Sequence, residues 1–438
     1  MPQRWAAAPP AVLTDSSLPA APPARRLKVL HVITAFEAGA GGNTLLSAAG
    51  MDRARYETWV AGSADGPLWD DARSAGVRTV RIEGFDKAVS PRHDPVVLAT
   101  LIRLIRRERF DIVHVHSAKA ATLGRVAARL CQVPVVVCTI HGRDPWWPGT
   151  GGSQDGLEDL MPWHERWLFR RVERALCRVT DAFVAVSPTV ARDAVLAGVA
   201  SAGRISVAPS AVDLDTIPVA QDRSIRRELG IPPDVPVIGT VGRIGPQKCP
   251  QDFVRMAAVV HASRPDARFV MVGEGELADE VRLLADELAV PLLVTGYRSD
   301  ATRVAATFDV YVVSSRYEGV GRAVTEALAS ARPVVATAVD GVVDLVAHGS
   351  TGLLVSPRDV EGLARAVGWL LAHPAEAAAM GRQGRALVRE LFTAERMCVA
   401  LDEVYRQQLG LADGGASTSA RGRPGAVPVP EPVQQEVS

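Results

Sequence analysis

The sequence predicts an α/β protein made of two doubly wound, parallel-sheet, Rossmann-like domains that face each other across a cleft. Three observations carry that prediction. Short runs rich in β-branched residues alternate with helical patterns from Arg26 onward. These runs are apolar nearly throughout, as strands covered by helices on both faces must be. The alternation also breaks once, over residues 213–236, and then begins again.

Taken in order, the strand-like runs of the first half are RLKVLHVIT, YETWVAGS, VRTVRIE, DIVHVHS, VPVVVCTI, DAFVAVS and RISVAPS. Between them, stretches such as DPVVLATLIRLIRRERF and KAATLGRVAARLCQ have helical spacing. The break, DLDTIPVAQDRSIRRELGIPPDVP, is rich in proline and charge and reads as a linker. The second alternation runs through PVIGTVGRI, ARFVMVGEG, VPLLVTGY, VYVVSSR, PVVATAV and TGLLVSP, each followed by a helical segment. The expected plan is a disordered leader at 1–26, a first domain at 27–212, the linker at 213–236 and a second domain at 237–395. A terminal helix at 396–411 is expected to pack back on the first domain, ahead of a disordered tail at 412–438.

Composition narrows the function. The chain has 49 basic and 49 acidic residues among 438, so bulk charge argues neither for nucleic acid nor for another polyanion as partner, and no nucleic acid is expected. Cys131, Cys138, Cys177, Cys249 and Cys398 are scattered, with no Cys-x-x-Cys pair, which suits reduced thiols in a cytoplasmic protein. The alanine- and proline-rich start lacks the apolar core of a signal peptide. No stretch approaches the roughly 18 apolar residues that a membrane helix needs.

Ligands of doubly wound sheets bind beyond the carboxyl ends of the strands, so a cleft between two such sheets is the expected site. At one such end, SSRYEGVGRAVTEALASA joins a strand to a helix through Gly319 and Gly321. The helix start offers free N–H groups and positive potential, which favour phosphate. Glu326 stands where a carboxylate can accept hydrogen bonds from a ribose diol, and Glu318 lies in the turn, nearer the cleft. At a second strand end, GTVGRIGPQK supplies Arg243 and Lys248, a fork-shaped and a flexible cation suited to a diphosphate. This is not a Walker loop, because the Gly-x-x-x-x-Gly-Lys-Ser/Thr spacing is missing.

In the first half, EAGAGGNT offers Gly39, Gly41 and Gly42 as a tight turn that lets a ligand approach. His114 and His116 share one face of a strand, and His141 ends the next strand in TIHG. Three histidines can ligate zinc, but such groups are more often satisfied core or cleft donors. His141, in the cleft mouth, is the functional candidate among them. Trp146 and Trp147 precede the helix WHERWLFRRVERALCRV, in which Trp163, Trp167, Arg170, Arg171, Arg174 and Arg178 share a face. Leu168, Val172, Ala175 and Val179 are its expected core face. A tryptophan-and-arginine face suits docking on an anionic membrane surface.

Together these residues resemble the retaining glycosyltransferases of family four, the group 1 transferases, which have the GT-B fold. The resemblance covers nearly the whole body from residue 27 to 411. Its most specific part is Glu-x7-Glu, Glu318 to Glu326 in EGVGRAVTE, followed by RPVVATAVDGVVDLVAHGSTGLLV. GRIGPQK matches the family's donor-diphosphate loop, AGAGG its glycine turn and TIHG its cleft histidine. The resemblance implies that the second domain binds a nucleotide-sugar such as a UDP- or GDP-sugar, and that the first binds a lipid-linked or oligosaccharide acceptor. It implies catalytic roles for Glu318, His141, Arg243 and Lys248. It also implies donor contacts from Glu326, Gly319, Val320, Gly321, Gly41 and Gly42, and acceptor-side roles for His116, Trp163, Arg170 and Arg174. No metal or other cofactor is implied, since the nucleotide-sugar is itself a substrate. Departures from the family pattern are PSAVD for the usual Pro-Asn-Gly-Val-Asp, Asp340-Gly341 for Gly-Gly, and Asp344 for a glutamate. VHVHSAKAATLGRVAAR further resembles the members that build bacterial exopolysaccharides and other surface glycans on lipid carriers. The rival readings are an epimerase or hydrolase of nucleotide-sugars on the same scaffold, and a non-catalytic sugar-nucleotide-binding partner protein.

Overall fold

Two parallel sheets dominate the computed structural model, which describes residues 25–411 apart from 38, 87, 143–146 and 148–161. The expected tail, and the leader up to residue 24, lie outside the described residues. The first sheet contains β1 (Leu27–Ile33), β2 (Tyr56–Ser63), β3 (Arg78–Ile82), β4 (Ile112–His116), β5 (Val135–Ile140), β6 (Ala182–Ala185) and β7 (Ile205–Val207). Its order is β3-β2-β1-β4-β5-β6-β7. The second sheet contains β8 (Val237–Val241), β9 (Arg268–Val272), β10 (Leu292–Val294), β11 (Val310–Val313), β12 (Val334–Thr337) and β13 (Gly352–Val355). Its order is β10-β9-β8-β11-β12-β13. Each strand-like run read from the sequence is a strand here.

These segments are strands because valine and isoleucine stiffen the backbone and fill a surface covered on both sides. Every residue of β4, β5 and β11 is buried. The order of each sheet reverses at one place: β1 is flanked by β2 and β4, and β8 by β9 and β11. At such a switch point the neighbouring connections leave to opposite faces and open a crevice at the carboxyl ends of the strands. The loops after β1, β4, β8 and β11 are therefore where chemistry is expected.

The chain passes between the domains at two adjacent points, where the Val212 N–H donates to the Phe392 carbonyl at 3.1 Å. The proline- and charge-rich stretch read as a linker carries a short helix, Arg223–Glu228. That helix is tied to the second domain by Arg226, whose guanidinium is buried against the Asp309 carboxylate at 2.9 Å and the Thr307 carbonyl at 3.0 Å. The last described helix, Ala394–Gln408, lies against the first sheet: Met397, Leu401, Val404 and Tyr405 share an apolar cluster with Val29, Ile112 and Val137. Two polar pins accompany that cluster. Tyr56 donates to Asp402 at 2.8 Å, and the wholly buried Tyr405 hydroxyl lies 2.6 Å from Nδ1 of His114.

Loss of that second pin leaves a buried imidazole nitrogen without its partner, which costs about 1–3 kcal/mol. Tyr405→Phe is expected to lower the urea midpoint accordingly at unchanged slope. An unchanged midpoint would mean that the hydroxyl contributes nothing to holding the terminal helix.

Candidate active site at the domain seam

The loop after β11 is Ser314 to Gly321, and it leads into the helix Arg322–Ala329. Gly321 caps that helix with φ 75°, a left-handed conformation that glycine adopts without strain. Two residues earlier the chain meets the other domain. A Cβ on Gly319 would run into the carbonyl oxygen of His141, and one on Gly142 would lie 2.8 Å from the Gly319 Cα. The loops after β5 and β11 thus touch backbone to backbone, and only glycine permits the contact.

Glu318 lies in that contact and is 4% exposed. Its carboxylate is paired with the Lys248 ammonium and accepts from the Ser315 hydroxyl at 2.7 Å. Its own N–H donates to the Asp340 carboxylate at 2.8 Å. Lys248 ends the 3-10 turn Pro246–Lys248 in the loop after β8. The seam therefore joins loops from both sides of the second sheet's switch point to the end of β5.

Other residues hold the two domains together. The Thr189 N–H and hydroxyl donate to the Asp344 carboxylate at 3.0 and 2.9 Å. Gly341 packs against the Gly319 carbonyl and the Ser187 hydroxyl. Asp340, Gly341 and Asp344, noticed in the sequence as departures from a pattern, are all seam residues. Arg322 was not singled out. Its Nε donates to Glu326 at 2.8 Å, and a Cβ on Gly42 would stand 2.5 Å from its Nη1, which is buried without a hydrogen-bond partner among the described residues. Only its position at the start of a helix facing the cleft could have drawn attention to it.

Several expected residues sit differently from their sequence reading. Gly41 and Gly42 lie in the first turn of the helix Ala40–Ala49, with Gly39 as its cap, and not in the preceding turn. Arg243, expected beside Lys248 on a diphosphate, is 68% exposed and pairs with Glu276 at 3.1 Å, while Lys248 pairs with Glu318. His116, expected on the acceptor side, is completely buried within the sheet and cannot touch an acceptor. The helix Trp163–Cys177 is also turned relative to expectation. Leu168 and Ala175, expected in its core face, are exposed, while Glu173 and Leu176 are buried. The cause is Arg125, fully buried on a neighbouring helix, which donates to Glu173 at 2.6 Å and draws that face inward. Trp163 and Trp167 are 74% and 54% exposed, and Arg171 stacks over Trp167 at 4.7 Å. Arg174 is exposed and Arg170 is half-buried. Trp147 is buried, and Trp146 lies outside the described residues.

The histidines form one connected group. Nδ1 of His31 lies 3.0 Å from Nε2 of His116, and Nδ1 of His116 lies 3.0 Å from Nε2 of His141. His114 stacks on His116 and shares its nitrogens with Tyr405 and Thr139, each at 2.6 Å. His31, His114 and His116 are close enough to suggest a metal trio. However, Nδ1 of His31 and Nε2 of His116 face each other across their hydrogen bond, and both nitrogens of His114 are taken by Tyr405 and Thr139. The ring nitrogens instead serve hydrogen bonds. Burial pushes His141 down to about 4 and His31 to about 3, and lowers His114 and His116 as well. The group is neutral at physiological pH.

A pair of facing Rossmann-like domains, meeting through loops at the carboxyl ends of their strands over a buried acid paired with a lysine, is the GT-B class of sugar-transferring enzymes. The chain belongs to the group 1 glycosyl transferases: residues 221–387 match the model for Glycosyl transferases group 1, and residues 39–216 that for Glycosyltransferase Family 4. It is 29% identical over 309 residues to the UDP-Gal:α-D-GlcNAc-diphosphoundecaprenol α-1,3-galactosyltransferase of Escherichia coli, covering 69% of this chain and 76% of that one. It is 30% identical over 368 residues to the D-inositol 3-phosphate glycosyltransferase of Mycobacterium avium, covering 80% and 84%. Among solved structures, Anabaena Alr3699/HepE in complex with UDP and glucose superposes with a TM-score of 0.71 at 18% identity, covering 86% of this chain and 99% of that one.

The neutral histidines give the fold a pH signature. Unfolded, a histidine takes up its proton near pH 6.5, whereas folded His31 refuses it until about pH 3. Stability is therefore lost as pH falls below about 6.5, by about 1.4 kcal/mol per pH unit for each such group. His31→Gln removes one of these groups and keeps a polar side chain. Its urea midpoint is expected to fall less steeply than the parent's between pH 6 and 4.5, and equal slopes would contradict the burial of a neutral His31.

Proposed function

We propose that the chain is a retaining glycosyltransferase that moves a sugar from a nucleotide-sugar to a lipid-linked or glycan acceptor in cell-surface polysaccharide or glycoconjugate assembly. The observation that carries this reading is the pairing of half-exposed Lys248 with buried Glu318 at the glycine contact between the domains. The half-exposed ammonium that pairs with Glu318 in the free enzyme can turn to a diphosphate on arrival, while the Ser315 hydroxyl still donates to the carboxylate. The start of the helix Arg322–Ala329, with the N–H groups of Val320 and Gly321, adds positive potential beside it. Glu326, in the second turn, would hold the ribose while Arg322 orients it. Arg243 would swing from its exposed pairing with Glu276 to meet the diphosphate.

In the transfer itself, the bond from the anomeric carbon to the leaving phosphate oxygen breaks while the acceptor oxygen bonds on the same face. The leaving phosphate takes the acceptor's proton, which retains configuration. The chain's part is to stabilise the charge that grows on that phosphate, and Lys248 with the helix start supplies it. No metal ion is needed in this scheme. The E. coli relative is named for coupling a UDP-sugar to a diphospholipid acceptor, and the Anabaena structure holds UDP, so UDP is the favoured nucleotide. The exposed Trp163 and Trp167, with Arg171 and Arg174 on the same helix, would bring the cleft to a lipid-linked acceptor at an anionic membrane surface. No described helix is long and apolar enough to cross a membrane.

Thermal unfolding with UDP-, GDP- and ADP-sugars tests the donor. A true donor at 100 times its Kd should add about 2.7 kcal/mol of stability, and the absence of any shift across the panel would overturn the reading. Lys248→Ala should lower kcat by roughly 10²–10³, as lost oxyanion donors do; near-parental turnover would contradict its role. Co-sedimentation with anionic vesicles at low and high salt tests the membrane surface. Binding that never occurs, or that survives Arg171→Glu/Arg174→Glu unchanged, would leave a soluble acceptor as the better reading.

A further inference from the structure

We propose that His31 and His116 are positioning residues that hold His141 in a single tautomer, with its proton on Nδ1, so that it presents an N–H donor to an accepting oxygen of the bound substrate. The inference rests on the reading above that a sugar nucleotide occupies the seam. A neutral imidazole has one N–H and one lone pair, so each N···N hydrogen bond contains one proton. His31, His116 and His141 are linked by two such bonds, both 3.0 Å, through Nδ1 of His31, both nitrogens of His116 and Nε2 of His141. Only two arrangements satisfy both bonds. In the first, every proton sits on Nδ1, His31 donates to His116, His116 donates to His141, and Nδ1–H of His141 is left pointing out of the chain. In the second, every proton sits on Nε2, and the chain runs the other way.

The far end of the chain selects between them. Nε2 of His31 is buried and has no hydrogen-bond partner. The second arrangement would strand an N–H there, and the first strands only a lone pair. Orphaned buried N–H groups are the rarer and costlier of the two. The lowered pKa values of all three rings exclude a proton on both nitrogens of any of them at neutral pH. At the near end, His141 is half-buried, its carbonyl touches Gly319, and its Nδ1 has no hydrogen-bond partner among the described residues. A donor at that point selects an accepting oxygen. It also has no lone pair with which to take a proton, which leaves the leaving phosphate as the base.

The test is the nitrogen-15 spectrum of the full chain labelled at histidine, with long-range correlations that report which ring nitrogen is protonated. Without any substrate, the parent should show His141 protonated on Nδ1. His116→Gln, whose amide can still donate to Nε2 of His141, should keep that signature. His116→Ala removes the donor and leaves room for a water that can accept, so the proton of His141 should move to Nε2, the nitrogen that a free imidazole favours. With a nucleotide-sugar, kcat/KM should fall by about 10- to 100-fold in His116→Ala and return to within about threefold of the parent in His116→Gln. A parent spectrum with His141 protonated on Nε2, or a His116→Ala variant that keeps Nδ1–H, overturns the tautomer assignment whether or not the chain turns over sugar. A shifted tautomer with unchanged kcat/KM overturns its role. If His116→Ala does not fold, the parent spectrum decides alone. A parent that transfers no sugar fails the functional reading alone, because the spectrum is recorded without substrate.

Discussion

Glu318 is a carboxylate shut into the junction of two domains, and a buried charge persists only where its surroundings answer it. The surroundings come from separate parts of the chain. Lys248 arrives from the loop after β8, Ser315 from the start of the same turn, and the backbone N–H of Glu318 is tied to Asp340. The arrangement exists only because β8 and β11 are neighbours at the switch point of their sheet, with their carboxyl ends side by side. It also requires His141 and Gly142 to close over it, and they do so through a contact that admits no Cβ. One buried acid thus depends on the strand order, two glycines and a lysine.

The seam combines polar contacts with an apolar one: Val186, Val190 and Ala194 of the first domain share a continuous cluster with Val320, Val342 and Leu345 of the second. Beside it, Thr189 gives two hydrogen bonds to Asp344. Contacts of this kind are worth about 0.5–1.5 kcal/mol each, or more when one partner is charged. The terminal helix adds a tether to the first domain at Tyr56 and His114, away from the carboxyl ends of the strands.

Much of this was legible in the sequence. All thirteen strands could be read because β-branched apolar runs between turn residues have few other uses. Glu318, Gly319, Gly321, Lys248 and His141 could be placed at strand ends, where doubly wound sheets keep their chemistry. What escaped reading depends on partners distant in sequence. The inward face of the helix Trp163–Cys177 is set by Arg125 finding Glu173, and a charged residue counts as solvent-facing until its partner is known. His116 was expected on the acceptor side by resemblance and sits at the end of β4, yet His31 from β1 encloses it. His31 itself was hidden inside a run read simply as a strand. Arg243 and Lys248, neighbours in sequence, pair with different acids, Glu276 and Glu318, which the sequence did not indicate.

The central claim is that the Lys248–Glu318 pair is the resting state of a diphosphate site. The most direct measurement is a crystal structure of the chain with a nucleoside diphosphate bound. The account predicts the diphosphate between Lys248 and the start of the helix Arg322–Ala329, with the ammonium turned from Glu318 to a phosphate oxygen and the ribose on Glu326. A diphosphate bound elsewhere, with Lys248 still paired to Glu318, would contradict it.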